Sequence, residues 1–385
     1  MLKSLGSSKL IILVLLLLIL VVNGSLVVAQ SGIEQEPQPL EEEPIGEEPD
    51  YNYYRGRVII VEDFESEGRM TTVEQRAQVR ITSGSHLGET VAVRNQYNQD
   101  NPYLNIYLEE DSEVILVANE VDGELKDVYL QDVARDRGLF YLLGLFVALL
   151  LIIGKLQGLK TVITLGFTAL VIVKFMLPSL LGGSEPILIA IIGAIIIIIP
   201  TLFVIGGFNA KSIAAIIGTA CGVVVAGLLA FWVGEVSHLT GFSSEEAQML
   251  SHLGHDIDVR GLLFAGIIIG SLGAVTDVSM SVASAIYEIG RNRARVELRP
   301  LIGAGMNVGR DIMGTMANTL LLAYVGGAIP LLLLLMGSDI AWLRIINMDL
   351  MVTEFVRGIT GSIGLIISIP ITAVIAGFLV NNQHS

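Results

Sequence analysis

Thiols, aromatic rings and charges are all scarce in this chain, and each shortage excludes a class of function. Its 385 residues contain one cysteine, Cys221, set inside the apolar run IGTACGVVVAG. No intrachain disulfide and no cysteine-based zinc site can therefore exist, and Cys221 reads as a small apolar filler. Charged residues make up only 16% of the sequence against 52% hydrophobic, with a mean hydropathy of +0.69. That exceeds what a soluble globular domain needs, so an integral membrane protein is expected. Basic residues number 23 against 38 acidic ones. An acidic chain with no basic face interleaved with aromatics has no footprint for nucleic acid. There is no Walker motif, no dinucleotide fingerprint and no recognisable Ser or Cys nucleophile site, so neither an enzyme nor a bound cofactor is expected.

What is present falls into four zones. Lys3 and Lys9 precede LIILVLLLLILVV, and small residues around Ala29 suit a signal peptidase, so residues 1–29 read as a secretory signal peptide or N-terminal anchor. Residues 30–53, including IEQEPQPLEEEPIGEEPD, are rich in Glu and Pro and read as a disordered acidic linker. From Tyr54 to about residue 136 the pattern turns to short alternating runs, among them RGRVIIVED, EQRAQVRITSG, GETVAVRNQ and YLNIYLEED. Ala77, Val79 and Ile81 alternate, as do Val91 and Val93, and Asp122-Gly123 marks a hairpin. Five or six strands are expected in an extracytoplasmic all-β domain, OB-like by analogy.

The last zone, residues 137–381, is expected to be an all-α transmembrane bundle of about seven spans: Leu139 to Ile153, Thr161 to Leu177, Ile187 to Ile205, Ser212 to Val233, Gly261 to Tyr287, Leu301 to Met336 and Ile359 to Val380. Pro200, Pro330 and Pro370 mark expected kinks. Lys155, Lys160, Lys211, Arg291, Arg293, Arg295 and Arg299 gather in the loops of one side, and Arg260, Arg344 and Arg357 in those of the other. By the positive-inside rule the β-domain is outside and the C-terminus cytoplasmic, in a multi-pass cell-membrane protein. Lys174 sits near the outer end of the second span, where its stem can snorkel.

Two spans carry polar stripes. Positions three or four apart share a helix face, and Asp277, Ser281, Ser284 and Glu288 fall on one such line in the fifth span. In the sixth, Asn307, Asp311, Thr315 and Asn318 do the same, with Arg310 beside Asp311. The stretches DVSMSVASAI and DIMGTMANTL echo each other in order, and consecutive spans run antiparallel. Counting about 1.5 Å per residue from the arginine loop puts both aspartates roughly 16 to 21 Å deep, near the middle of a core about 30 Å thick. Intramembrane ionisable groups mark solute or ion paths by default, and inverted repeats are a transporter plan. The competing explanation pairs Arg310 with Asp277 or Asp311 and makes Ser, Thr and Asn glue between helices.

The loop EVSHLTGFSSEEAQMLSHLGHDIDVR holds His238, His252, His255, Asp256 and Asp258. A spacing of three between His252 and His255 is one zinc accepts, but the arrangement is not HExxH, and the loop position favours solvated histidines over a metal site or a pH-sensitive element. RNRARVELR suits anionic lipid or a cytoplasmic docking partner. Finally, GSLGAVTDVSMSVASAIYEI and GAGMNVGRDIMGTMANTLLLAYVGGAIPLLLL make the chain, from about Tyr54 to Leu379, resemble the YibE/F family of bacterial multi-spanning membrane proteins. The resemblance implies an exported domain followed by a bundle of spans, and no activity or site residues. Two functions remain in view: a permease for a small solute or ion along the fifth and sixth spans, or a non-transporting scaffold whose β-domain binds an envelope protein. The bilayer is the one partner both require, and the oligomeric state is left open.

Overall fold

The computed structural model describes residues 51–384 apart from 66–71, 99, 101–105, 122, 251–256 and 292–296. The expected signal or anchor, the acidic linker up to residue 50, His252, His255, Asp256, Arg293 and Arg295 lie outside the described residues. The chain divides into two compact units, with the boundary after Leu149.

The first unit is an antiparallel five-stranded sheet. Its strands are β1 (Tyr51–Glu65), β2 (Thr72–Ile81), β3 (Thr90–Asn98), β4 (Glu113–Val121) and β5 (Glu124–Val133), in the order β3-β2-β1-β4-β5. The edge strands β3 and β5 touch, so the sheet curls almost closed. β1 begins at Tyr51, so the linker ends sooner than the composition suggests. Strand β1 is long enough to serve both neighbours because a bulge between Val58 and Ile60 re-aims it, and bulges bend and twist a strand. The alternation holds as expected: Ala77, Val79 and Ile81 are buried together with Val58, Val93, Val114, Leu116 and Ala118. Gly56 is required by this closure, since a Cβ there would lie 2.3 Å from Val79 Cγ1.

One expected strand, YLNIYLEED, is not one where it is described: Ile106 to Glu109 is irregular. Side chains capture its backbone instead. Fully buried Gln75 donates to the Leu108 carbonyl (3.1 Å) and accepts from the Leu108 amide (2.8 Å), while Asn95 donates to the Ile106 carbonyl. These bonds satisfy buried backbone groups that a ladder would otherwise have to serve.

The helices are α1 (Asp136–Val171), α2 (Leu177–Leu181), α3 (Pro186–Gly206), α4 (Ala210–Val236), α5 (Glu245–Leu250), α6 (Val259–Arg291), α7 (Leu298–Gly327), α8 (Ile329–Met336), α9 (Trp342–Ile345) and α10 (Asp349–His384). A π-helical segment, Ile172–Met176, joins α1 to α2 and carries Lys174. Five helical stretches are long and apolar enough to cross a membrane, or six if the bent pair α7 and α8 counts as one. The expected runs Leu139 to Ile153 and Thr161 to Leu177 fall on either side of a kink at Lys155 (φ 48°, ψ −125°), where two helices meet within the stretch Asp136–Leu181; taken as one, that stretch brings the number below the seven expected. The last helix begins at Asp349, ten residues before Ile359, because Asp349, Glu354 and Arg357 in its opening turns hide the start of the span from hydropathy alone. Pro200 and Pro370 lie inside α3 and α10, whereas Pro330 sits in the first turn of α8, whose axis bends 61° from α7.

The helical unit is built around α4, α6 and α10, which all touch one another. Small residues let the backbones approach, the usual means of helix association in lipid. A Cβ on Gly222 would lie 2.8 Å from the Gly364 carbonyl, and one on Gly218 1.8 Å from Thr372 Oγ1. Local signals set the helix starts: Glu185 accepts from the Leu188 amide (2.9 Å) ahead of Pro186, and Asn209 from the Ser212 amide (3.0 Å).

Candidate functional site

Helix α6 has one buried face and one open line. Ile267, Ile268, Ser271, Val275, Val278, Val282 and Ile286 turn into the core. The exposed line runs Gly266, Gly270, Gly273, Asp277, Ser281 and Glu288, with Ser284 half-buried, at spacings of three and four. It contains no apolar side chain. Neighbouring helices show what a lipid face of this protein looks like: α4 exposes Ile217, Leu228, Phe231 and Trp232, and α10 exposes Phe355, Ile359, Ile366 and Phe378. Helix α7 continues the polar surface, with Gly303, Asn307, Arg310, Asp311, Gly314, Thr315 and Asn318 exposed and Leu301, Gly305 and Gly309 turned inward.

The two helices pack together with a register that the glycines fix. A Cβ on Gly305 would strike Ile286, and one on Gly270 would lie 2.4 Å from the Tyr324 hydroxyl. Those two crossings make α6 and α7 antiparallel, with Asp311 level with Ser281 and Asp277 level with Thr315. The carboxylates are then offset by about one turn, roughly 5 Å along the axes. Arg310 donates to Asn307 Oδ1 (3.1 Å). Among the described residues it forms no ion pair with Asp277 or Asp311. Among the described residues no ion pair therefore offsets the cost of placing these charges in hydrocarbon, about 2.5 to 3.5 kcal/mol for each at mid-helix on insertion scales.

At the other end of this line, beyond Gly270, the bend between α7 and α8 opens a cavity of about 270 Å³ lined by Ala323, Tyr324, Gly327, Ala328, Leu331, Leu350, Glu354 and Arg357. An apolar pocket of about 110 Å³ shares Tyr324, Ala328 and Glu354 with it. Arg357 donates to Glu354 at 3.1 Å, while its Nε and the Tyr324 hydroxyl are buried without a hydrogen-bond partner among the described residues. Sequence reasoning missed this group, because Arg357 counts as a loop cation when the last span is drawn from Ile359. The available signal is the i,i+3 pair Glu354 and Arg357 in the opening turns of a helix that starts at Asp349.

A second polar cluster lies in the sheet unit. His86, buried, meets Glu89 through Nδ1 (3.1 Å) and Glu120 through Nε2 (3.6 Å), and Tyr54 donates to Glu120 (2.8 Å). Glu89 chiefly raises the His86 pKa, helped by Glu120 and opposed by burial. The Tyr54 hydroxyl chiefly holds the Glu120 carboxyl below the usual range, with His86 and Asn52 adding to it. Of the loop histidines expected to respond to pH, His238 is exposed at φ 52°, and Asp258 caps α6 by accepting from Gly261 (2.9 Å). Among the described residues no group of three His, Cys, Asp or Glu is placed to hold a metal.

A protein-family model described as YibE/F-like protein matches residues 142–382. The match takes in both polar stripes and the cavity at the bend, and it does not extend to the strands, the last of which ends at Val133. No curated protein and no solved structure matches the chain.

Proposed function

Because the chain belongs to the YibE/F-like protein family, which matches nearly all of its helical unit, we propose that this multi-helix membrane protein is a permease for a small solute or ion. The observation that carries the proposal is the open line of α6, which passes from Gly266 to Glu288 with no apolar side chain while its neighbours expose Leu, Ile and Phe. Lipid selects against such a line, and a hydrated route selects for it. Entry is at the cavity around Tyr324, Glu354 and Arg357, on the side the positive-inside rule makes extracytoplasmic, and exit is past Glu288 toward the arginine-rich loop. Asp277 serves as the coupling or cation-binding carboxylate and Asp311 as its partner. Arg310 balances charge, and Ser281, Ser284, Asn307, Thr315 and Asn318 are neutral ligands. A bent helix beside the entry fits this plan, since transporters build sites at helix breaks.

The sheet unit is read as an extracytoplasmic OB-like domain, supported by its strand order and by the contact of β3 with β5. One observation favours the scaffold alternative. Tyr53 on β1 and Tyr129 on β5 both pair with Val117 on β4, so two exposed rings stand in one row across the sheet, and exposed tyrosines suit protein partners. Vesicles reconstituted with the purified protein separate the two. Ion or solute flux that Asp277→Asn abolishes supports the permease. Absence of any flux, with an envelope protein lost from the complex on Tyr53→Ser and Tyr129→Ser substitution, supports the scaffold.

A further inference from the structure

We infer that the polar face of α6 and α7 is closed by a second copy of this chain, so that the route is completed between two protomers. In its purpose, though not in its geometry, this rests on the permease reading. Among the described residues of a single chain, nothing covers the face. Asp277, Asp311 and Arg310 are exposed on it, and the arginine bonds only Asn307 of its own helix. The face is electrostatically self-complementary. Two copies inserted in the same direction hold equivalent residues at equal depth, so Arg310 of each comes level with Asp311 of the other and about one turn from its Asp277. Charge pairing of this kind offsets part of the cost that the isolated chain bears, one arginine for one aspartate in each copy.

The glycines supply an independent argument. Gly305 and Gly309 are explained inside the chain, because a Cβ on either would strike Ile286 or Ile369. Gly266, Gly273, Gly303 and Gly314 are not: a Cβ on any of them meets nothing within 4 Å. All four lie on the polar face, where close approach of another backbone needs them small. The lipid faces of α4 and α10 show no comparable set; α1 also carries open glycines, Gly138, Gly144, Gly154 and Gly166, but no acid–base pair beyond its first turn.

The test uses the full chain with Cys221→Ala, reconstituted in lipid vesicles at low protein density, carrying in turn Gly273→Cys, Ser281→Cys or Gly314→Cys, with Leu228→Cys and Phe378→Cys as lipid-face controls. The open space around Gly273 and Gly314 lets these variants fold. Oxidation, or a short bis-maleimide, should give a species of twice the chain mass for at least one polar-face position and for neither control. Arg310→Glu should suppress that species, and adding Asp277→Arg and Asp311→Arg should restore it. Equal cross-linking at the controls, or none at any polar-face position, overturns the inference. Flux measured on the same vesicles separates the two proposals: cross-linking without flux leaves the paired copies and removes the permease, and flux from a chain that never cross-links does the reverse.

Discussion

Neutralising Asp277 should leave the fold of a single protomer intact and make it more stable. In this structure the carboxylate accepts no hydrogen bond and faces no cation among the described residues, so Asp277→Asn removes a cost and breaks no bond. Insertion scales set the ceiling at about 2.5 to 3.5 kcal/mol. Because the side chain lies on an open line and reaches polar solvent or detergent headgroups, the realised gain is smaller, about 1 kcal/mol. The glue explanation requires the opposite sign. If Asp277 held Arg310 within the chain, removing it would strand a buried cation at about 3 to 5 kcal/mol. Urea unfolding in detergent, at protein concentrations low enough to separate protomers, measures the difference. A loss of more than about 1.5 kcal/mol, with midpoint and slope both determined, would refute the placement of Asp277 on an unpartnered face. Flux of the same variant in vesicles should meanwhile fall to the level of empty vesicles.

Four further outcomes follow from the packing and the polar clusters. Gly218→Val drives a side chain into Thr372 and should cost about 1 to 3 kcal/mol or more in thermal unfolding, whereas Gly273→Val, with open space around it, should stay within about 1 kcal/mol of the parent. Tyr324→Phe deletes a buried hydroxyl that has no partner and should be neutral or stabilising by up to about 1 kcal/mol in the same assay; a clear loss would show that the hydroxyl is bonded. Gln75→Leu strands the Leu108 amide and carbonyl, so hydrogen exchange at residues 106–108 should quicken by about 10- to 100-fold, corresponding to roughly 1 to 3 kcal/mol. His86 has a raised pKa, so its contribution to the sheet unit is complete below about pH 6.5 and is lost as pH rises through the folded value. Glu120 has a lowered pKa, so its contribution is present above about pH 4.5 and is lost as pH falls through its own folded value. Exchange protection measured against pH should therefore peak between these limits, and His86→Gln should remove the fall on the alkaline side.

The amphipathic signals were legible in the sequence because they depend on period alone. Ala77, Val79 and Ile81 alternate and are buried, and the line from Asp277 to Glu288 keeps one face of α6. What the sequence hid depends on partners distant along the chain. Ile106 to Glu109 reads as a strand by composition, yet its backbone is taken by Gln75 and Asn95, residues that a period count treats as polar interruptions. The cavity was invisible for a related reason. Tyr324 lies 30 residues or more from Glu354 and Arg357, and only the packing of α7 against α10 brings them together. The break between Ile153 and Thr161 was legible from the polar interruption around Lys155, and the chain does kink there, with Lys155 at φ 48° beside Gly154. Sequence reading found that the stripes exist and where they lie, but it could not show that they look away from the core.

The seam between α4 and α10 has a mechanical consequence. Where Gly222 and Gly364 meet, backbone rests on backbone, and sliding one helix along the other would drive carbonyls into side chains. Together with α6 these helices form the packed centre of the helical unit. Helix α7 turns few residues inward, seats on the branched tips of Ile286 and Ile369, and is already bent at Ala328. The bend at Ala328 lies beyond this seam, so α8 can take its own direction while the backbones of α4 and α10 stay locked together.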